Sequence, residues 1–323
     1  MSLIDRILNH EALRDDPLVI TDVGASDGIP AQWRPLARHA VGIGFDPDPR
    51  EVQILRREQR RFRRWIFSPC VVTTDPDRSR ATIFATRSPF CSSTLRPSPA
   101  LQDWVFSDLF AVEKSVEVPS QTLAQVLEQN GLIRIDWLKC DTQGTDLRIY
   151  ESLPASLRHR MHVVEFEPGL LDAYEGEDKA FEVLRAMEKE PFWLAGLEVN
   201  RTPRGAVDAA RRVLGERGAA FYRDFGPGAP GWVNARYLRR IVNGPALELR
   251  DILLGWLFAT MNRQAMVAFE VAEMGAARSA DPIFLDMVAS AECQMRRPLW
   301  RRFTQWPGFL RRRLRARLAE ARK

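Results

Sequence analysis

The run Asp22-Val23-Gly24-Ala25-Ser26-Asp27-Gly28 closes an apolar stretch that begins at Val19, and Asp46 closes a second stretch, Val41 to Phe45, 22 residues after Gly24. Glycines let a backbone approach a ligand without a Cβ in the way, and an acid at the end of the next strand can accept both hydrogen bonds of a ribose diol. Asp46, with Pro47 beside it, is the expected ribose holder, and Asp22, Gly24, Ala25, Ser26 and Gly28 are the expected wall of a nucleoside pocket. A dinucleotide would need Gly-x-Gly-x-x-Gly and a helix N-terminus for its pyrophosphate. Here Asp22 and Asp27 flank the turn, and carboxylates repel phosphate. They suit a nucleoside with a cationic end, and S-adenosylmethionine fits. The plainer alternative is that Asp22 and Ser26 only cap the turn.

A second motif, Ile135-Asp136-Trp137-Leu138-Lys139-Cys140-Asp141-Thr142-Gln143-Gly144-Thr145-Asp146-Leu147, reads as a strand that projects Asp141 into a glycine turn before a helix. In an open parallel sheet, ligands bind beyond the carboxyl ends of the strands, so Asp22, Asp46, Asp75, Asp141 and Glu165 are expected at one edge. Alternation in Val163-Val164-Glu165-Phe166-Glu167 brings Glu167 near the same edge, with His162 opening the strand. Moving a methyl group to a hydroxyl requires an in-line approach and a base for the hydroxyl proton. Asp141, Glu165 and His162 are the candidates, with the two carboxylates favoured over the histidine. A divalent cation is the rival use of such acids, but no paired Asp-Asp or Asp-Asn signature is present, and no metal is expected. Asp75 either receives an adenine amino group or caps the Asp75-Pro76 turn. Ser92 and Ser93 either bond a polyol acceptor or shape their loop.

These residues need a sheet to position them. Apolar segments alternate with amphipathic ones as far as about residue 240, the pattern of a parallel sheet covered by helices. Strands are expected near 18–23, 41–45, 69–74, 136–140, 162–167, 192–197 and 232–238, the last following a glycine- and proline-rich loop that could return the chain antiparallel. Helices are expected over 50–61, 120–130 and 178–189. Residues 86–104 read as an ordered flap over the site, fixed by Phe90, Leu95 and Trp104. Beyond 245 the texture becomes helical, over 247–261, 263–278 and 282–296. The expected division is therefore a catalytic domain, 1–245, and a helical extension, 246–323.

The chain resembles the FkbM family of S-adenosylmethionine-dependent O-methyltransferases through the Asp22–Gly28 turn, Ser92-Ser93-Thr94-Leu95, Leu138 to Leu147 and Val163 to Glu167. The likeness spans about residues 15–240, with Asn234 to Arg239 resembling the family's last strand. Asp146 stands where the family more often has Glu, and Cys140 where it often has Ile or Val. The resemblance implies an α/β class I methyltransferase fold, Rossmann-like, with a seven-stranded sheet whose last strand is antiparallel. It also implies methylation of a hydroxyl on a carbohydrate-like or small-metabolite acceptor. An NAD-dependent oxidoreductase and a non-catalytic binding module on the same fold are the rivals.

Charge separates the two ends of the chain. Residues 296–323 carry eleven Arg/Lys and one acid, Glu320, whereas residues 1–295 hold 36 basic and 41 acidic side chains. Leu310, Leu314 and Leu318 repeat every fourth residue among arginines, so residues 300–323 form an expected basic amphipathic helix. Such a helix either contacts an anionic membrane surface, on its inner face, or packs on the body. A nucleic-acid partner is not expected, because no known reader motif frames the basic residues. The arginine-rich run 56–64 reads as a solvated helix face. No apolar stretch reaches the roughly 18 residues of a membrane span and no secretory leader opens the chain, so a cytoplasmic protein is expected. Cys70, Cys91, Cys140 and Cys293 form no Cys-x-x-Cys pair and are expected as reduced thiols, mostly buried.

Overall fold

The computed structural model describes residues 2–303 apart from 27, 50–56, 58 and 245, with side chains described as far as 296. The chain divides into a unit of residues 8–240 and a second of residues 1–7 with 241–323. The first is built on a seven-stranded sheet. Its strands are β1 (Val19–Val23), β2 (Val41–Phe45), β3 (Arg64–Ser68), β7 (Trp137–Cys140), β8 (Val163–Phe166), β9 (Phe192–Thr202) and β10 (Ala229–Arg239). A separate three-stranded sheet holds β4 (Val71–Val72), β5 (Arg80–Thr86) and β6 (Val112–Gln121). The main order is β3-β2-β1-β7-β8-β10-β9. β3, β2, β1, β7 and β8 are parallel, and β10 runs antiparallel to both β8 and β9. This is the expected class I methyltransferase architecture, a mixed α/β sheet with its last strand reversed.

Burial explains the central strands. All five residues of β1 and all five of β2 are buried, as parallel strands covered on both faces must be. After β1 the chain moves outward to β2 and β3, then returns to place β7 on the other side of β1. The carboxyl ends of β1 and β7 therefore flank a topological switch point, where such sheets open a crevice.

One row across the sheet is charged. Asp22 on β1 is in register with Lys139 on β7, Lys139 with Glu165 on β8, and Glu165 with Arg236 on β10. Lys139 Nζ lies 3.4 Å from Asp22 Oδ1, and Arg236 Nη2 lies 3.1 Å from Glu165 Oε2. Alternating signs let the row occupy a largely buried layer, where an isolated charge would be costly.

Several elements differ from expectation. The third strand of the main sheet is 64–68, not 69–74: Arg64-Trp65-Ile66-Phe67-Ser68 lies at the sheet edge and is only partly buried, with its apolar residues confined to Trp65-Ile66-Phe67. Val71–Val72 pairs with β6 in the small sheet instead. The β5–β6 hairpin and the helical segment Val207–Phe225, broken at Gly215, fall outside the expected elements. β6, Val112-Glu113-Lys114-Ser115-Val116-Glu117, is mostly exposed and carries little apolar signal. The expected helices at 120–130 and 178–189 form over Leu123–Gln129, capped by Thr122 and Gln125, and over Ala180–Met187. The helix expected over 50–61 falls largely outside the described residues, and 59–61 is a short 3-10 turn.

The second unit contains Leu249–Met261, Ala265–Arg278 and Ile283–Phe303. Leu253, Leu257, Ala272, Phe284 and Met287 are fully or almost fully buried, and Gly275 admits the Phe284 ring, which a Cβ would overlap. The basic helix expected over 300–323 lies outside the described residues but for the backbone of its first turn. No described helix is long and apolar enough to cross a membrane. All four cysteines are free; Cys70 and Cys140 are buried, Cys91 is partly buried and Cys293 is exposed, so burial is less general than expected.

Candidate functional site

A cavity of about 690 Å³ opens beyond the carboxyl ends of β1, β2, β7 and β8. That is ample for a nucleoside and a second small molecule. Its floor is the meeting of two turns. Gly24 has φ +87°, and a Cβ built there would overlap the Asp141 carbonyl oxygen, so the β1 and β7 turns touch through backbone alone. Gly24 N and Ala25 N both donate to Phe45 O, at 3.0 and 2.9 Å, which fixes the β1 turn against the end of β2. Among the described residues no helix begins in this turn; the first helical residues are Ala31–Trp33. The turn therefore lacks the helix N-terminus that a pyrophosphate uses.

Asp46 lines the cavity and is 5% exposed. Its Oδ2 accepts from Ser26 Oγ at 2.8 Å and its Oδ1 from Asp48 N at 2.7 Å. These donors fix the carboxylate plane at the cavity wall. Gly24, Ser26, Asp46 and Pro47 all line this region, with Val71, Val72 and Cys70 as apolar wall. Ala25 is buried behind it. Asp22 is only 2% exposed, faces Lys139, and is outside the lining; burial pushes its carboxyl up to about 6 despite the lysine.

Other expected site residues lie elsewhere. Asp75 is exposed in a turn, where its Oδ1 accepts from Asp77 N at 3.0 Å, and it does not line the cavity. This is the turn-cap geometry, displaced because 71–72 joins the small sheet. His162 is buried at the amino end of β8, with Nδ1 3.6 Å from Asp136 Oδ1. At about 3.3 Å per residue it sits roughly 16 Å down the strand from Glu167. Glu165 accepts from Gln32 Nε2, Trp137 Nε1 and Arg236 Nη2, which braces β8 against its neighbours and keeps it out of the lining. Neither Glu165 nor His162 reaches the cavity.

At the ends of β7 and β8 it is Asp141 and Glu167 that line the cavity. Asp141 Oδ2 accepts from Lys139 Nζ at 3.2 Å and Oδ1 from Gln143 Nε2 at 2.9 Å. Glu167, one residue past β8, lines the cavity with Asp141; burial and then the Asp141 charge push its carboxyl up to about 8. Asp146, 1% exposed, ties the two turns together. Its Oδ1 accepts from Thr142 N at 2.8 Å and Oδ2 from Glu167 N at 2.9 Å, while burial raises its own carboxyl to about 6. Sequence reasoning missed the weight of Glu167; its signal was the i+2 spacing from Glu165, which puts it past the strand end where no cross-strand partner binds it.

The outer wall is the 87–111 connection of the β5–β6 hairpin. Trp104 and Leu101 are buried with Phe106, Leu171 and Tyr174 in a core of their own. Phe90, expected to be buried, is 53% exposed although it lines the cavity. Ser92 and Ser93 also line it, with hydroxyls engaged in loop contacts: Ser92 Oγ accepts from Thr86 N at 3.2 Å, and Ser93 Oγ donates to Gln143 O at 2.7 Å. Gln143, held at φ +58°, is the latch. The Tyr174 hydroxyl lies 3.0 Å from its Oε1 and 2.9 Å from Cys91 O. Tyr174→Phe is expected to raise amide hydrogen exchange across 88–95 several-fold while lowering global stability by only ~1 kcal/mol. Exchange confined to global unfolding in both proteins would show that the hydroxyl does not hold the flap.

The lining also holds the apolar Phe106, Phe110, Leu171 and Trp232 and the charged Arg201 and Arg223. Among the described residues no cluster of side chains is arranged to hold a metal ion.

The family model of the methyltransferase FkbM domain matches residues 22–192, just over half of the 323 residues. The match runs from the glycine turn at the end of β1 to the first residue of β9 and includes every cavity acid described above. No curated protein and no solved structure matches the chain.

Proposed function

The chain belongs to the FkbM methyltransferase family, and from that premise we propose that it transfers a methyl group from S-adenosylmethionine to a hydroxyl oxygen of a carbohydrate-like or small-metabolite acceptor. The observation that carries this reading is Asp46, fixed by Ser26 and the Asp48 amide at the cavity wall beside a glycine turn in which no described helix begins. The donor supplies a methyl on a positively charged sulfur. In this reading Asp46 accepts the hydrogen bonds of its ribose, and the backbone of Gly24 lets the nucleoside lie against the floor.

What remains of the cavity defines the acceptor's surroundings. Phe106, Phe110 and Trp232 exclude water and offer flat faces suited to a sugar ring or an apolar body. A hydroxyl attacking a methyl carbon must lose its proton, and Asp141 and Glu167, which line the same cavity, are the carboxyls this reading assigns to take it. Neither a phosphate cradle nor a metal enters this scheme.

Label transfer tests it. Purified protein with methyl-labelled S-adenosylmethionine, offered fractionated sugars, glycolipids and small metabolites, is expected to deposit label in a product stable to mild base, as an ether is. Label recovered only as base-labile ester or as methylamine, or no transfer with any fraction, would overturn hydroxyl methylation.

A further inference from the structure

Two long strands run past the rest of the main sheet. β10 is antiparallel to both β8 and β9, so β9 runs in the direction of β8 and its carboxyl end lies at the cavity edge. Phe166, the last residue of β8, is in register with Ala235, and Ala235 with Leu197. β9 continues to Thr202, which carries Arg201 roughly 13 Å beyond the level of Phe166 and two strands, roughly 10 Å, to its side. Arg201, Thr202, Gly231 and Trp232 of this overhang line the cavity. β2, which ends at Asp46, stands five places from β9 in the sheet, roughly 24 Å away at ordinary strand spacing. One nucleoside does not span that distance, so Arg201 belongs to the acceptor's part of the cavity.

Two basic side chains line the cavity, Arg201 and Arg223. Arg223 is paired with Asp224, its Nε donating to Oδ1 at 2.8 Å and its Nη2 to Oδ2 at 3.5 Å. Arg201 is exposed; its Nη1 donates to the Gly228 carbonyl at 3.2 Å, and among the described residues it has no ion pair. Gly228 lies close against the end of β9, where a Cβ would overlap the Thr202 backbone. The carbonyl orients the guanidinium without neutralising it, and the remaining N–H groups face no protein anion. Such a fork matches a terminal group with two oxygens, bonded through two parallel N–H donors.

We propose that Arg201 sets acceptor specificity by binding a carboxylate or a phosphate monoester on the acceptor, so that the substrate is an elongated anionic molecule whose hydroxyl lies at the floor acids and whose anion lies at the overhang. The inference rests on the reading above that a hydroxyl is methylated. Electrostatics favours the separation. Asp46, Asp141 and Glu167 repel an anion seated among them, whereas the backbone of Arg201 lies past the ~10 Å over which exposed charges stay coupled in salt. Phe106, Phe110 and Trp232 line the same cavity and offer flat faces to the body that joins the two ends.

A cell extract resolved by anion exchange into neutral and anionic pools tests this, with methyl-labelled S-adenosylmethionine as donor. Label is expected to enter the anionic pool and not the neutral one. Phosphatase treatment of that pool abolishes labelling if the anion is a phosphate monoester, and amidation of its carboxyls abolishes it if the anion is a carboxylate. Arg201→Gln is expected to raise the half-saturating amount of the anionic pool at least ten-fold, with the rate at saturation within two-fold of the parent and S-adenosylhomocysteine binding unchanged. Arg201→Lys keeps the charge without the fork and is expected to restore part of the loss, while Arg212→Gln, exposed and outside the lining, changes neither quantity. Label confined to the neutral pool, labelling that survives both treatments, or an unchanged half-saturating amount in Arg201→Gln would overturn the proposal. Absence of label from both pools would instead remove the methyl-transfer reading itself, and this inference with it.

Discussion

Replacing Asp46 by alanine is expected to weaken S-adenosylhomocysteine binding about 100-fold, with little loss of fold stability. Two charge-assisted hydrogen bonds to a ribose diol are lost, each worth ~1.5–3 kcal/mol, and water entering the vacated space recovers part of that. Ser26 and the Asp48 amide lose their acceptor but sit at the cavity wall, where water can satisfy them. Asp75→Ala is the matched control. Its side chain is exposed and outside the cavity, so binding should change less than two-fold. Calorimetry on both variants checks the pair. Equal effects at the two positions would mean that the acid at the end of β2 is not the ribose holder.

Gly24→Ala is expected to cost about 3 kcal/mol or more of stability and to abolish nucleoside binding in whatever fraction folds. The added methyl meets a backbone carbonyl, that of Asp141, which cannot rotate away as a side chain would, and φ is +87°. Relief requires the β1 and β7 turns to part, and those turns are the cavity floor. Gly131→Ala separates strain from clash. Gly131 has φ +67° but open space around its missing Cβ, so only the ~1 kcal/mol of a left-handed alanine is expected. Thermal denaturation of the two variants reads the difference; similar midpoints would show that the two turns are not in close contact.

The parts of the site legible in the sequence are those encoded locally. Val19 to Gly28 and Val41 to Asp46 each contain strand, turn and acid in one short span, so Gly24 and Asp46 could be assigned from spacing alone. Asp141 was legible for the same reason, projecting from an apolar strand into a glycine turn. Glu165 was not, because what removes it from the cavity comes from far along the chain: Arg236 is 71 residues away and Gln32 is 133 away. No local pattern distinguishes a carboxylate braced by such partners from one left to face a ligand. Its neighbour Glu167 differs by a single step past the end of β8, and strand ends are set by hydrogen bonding that the sequence does not display.

Edge elements were hidden for a related reason. Arg64 to Ser68 pairs with β2 at the sheet edge, where Trp65, Ile66 and Phe67 are only partly buried, and residues 112–121, most of them exposed, pair with β5 in a hairpin. Where burial is weak, periodicity is weak, and the register of pairing decides the element. The flap was recognised from its composition. Its latch was not, since Tyr174 and Gln143 are 31 residues apart and Gln143 carries an unusual positive φ that only the folded turn imposes.

The central claim is that the acids and glycine turns at the carboxyl ends of β1, β2 and β7 form a pocket for a sulfonium nucleoside. Competitive equilibrium binding of S-adenosylhomocysteine and NAD to the unmodified protein tests it most directly. Saturable binding of the first, displaced by S-adenosylmethionine and untouched by NAD, is the expected result. Binding of NAD that S-adenosylhomocysteine does not displace would contradict it.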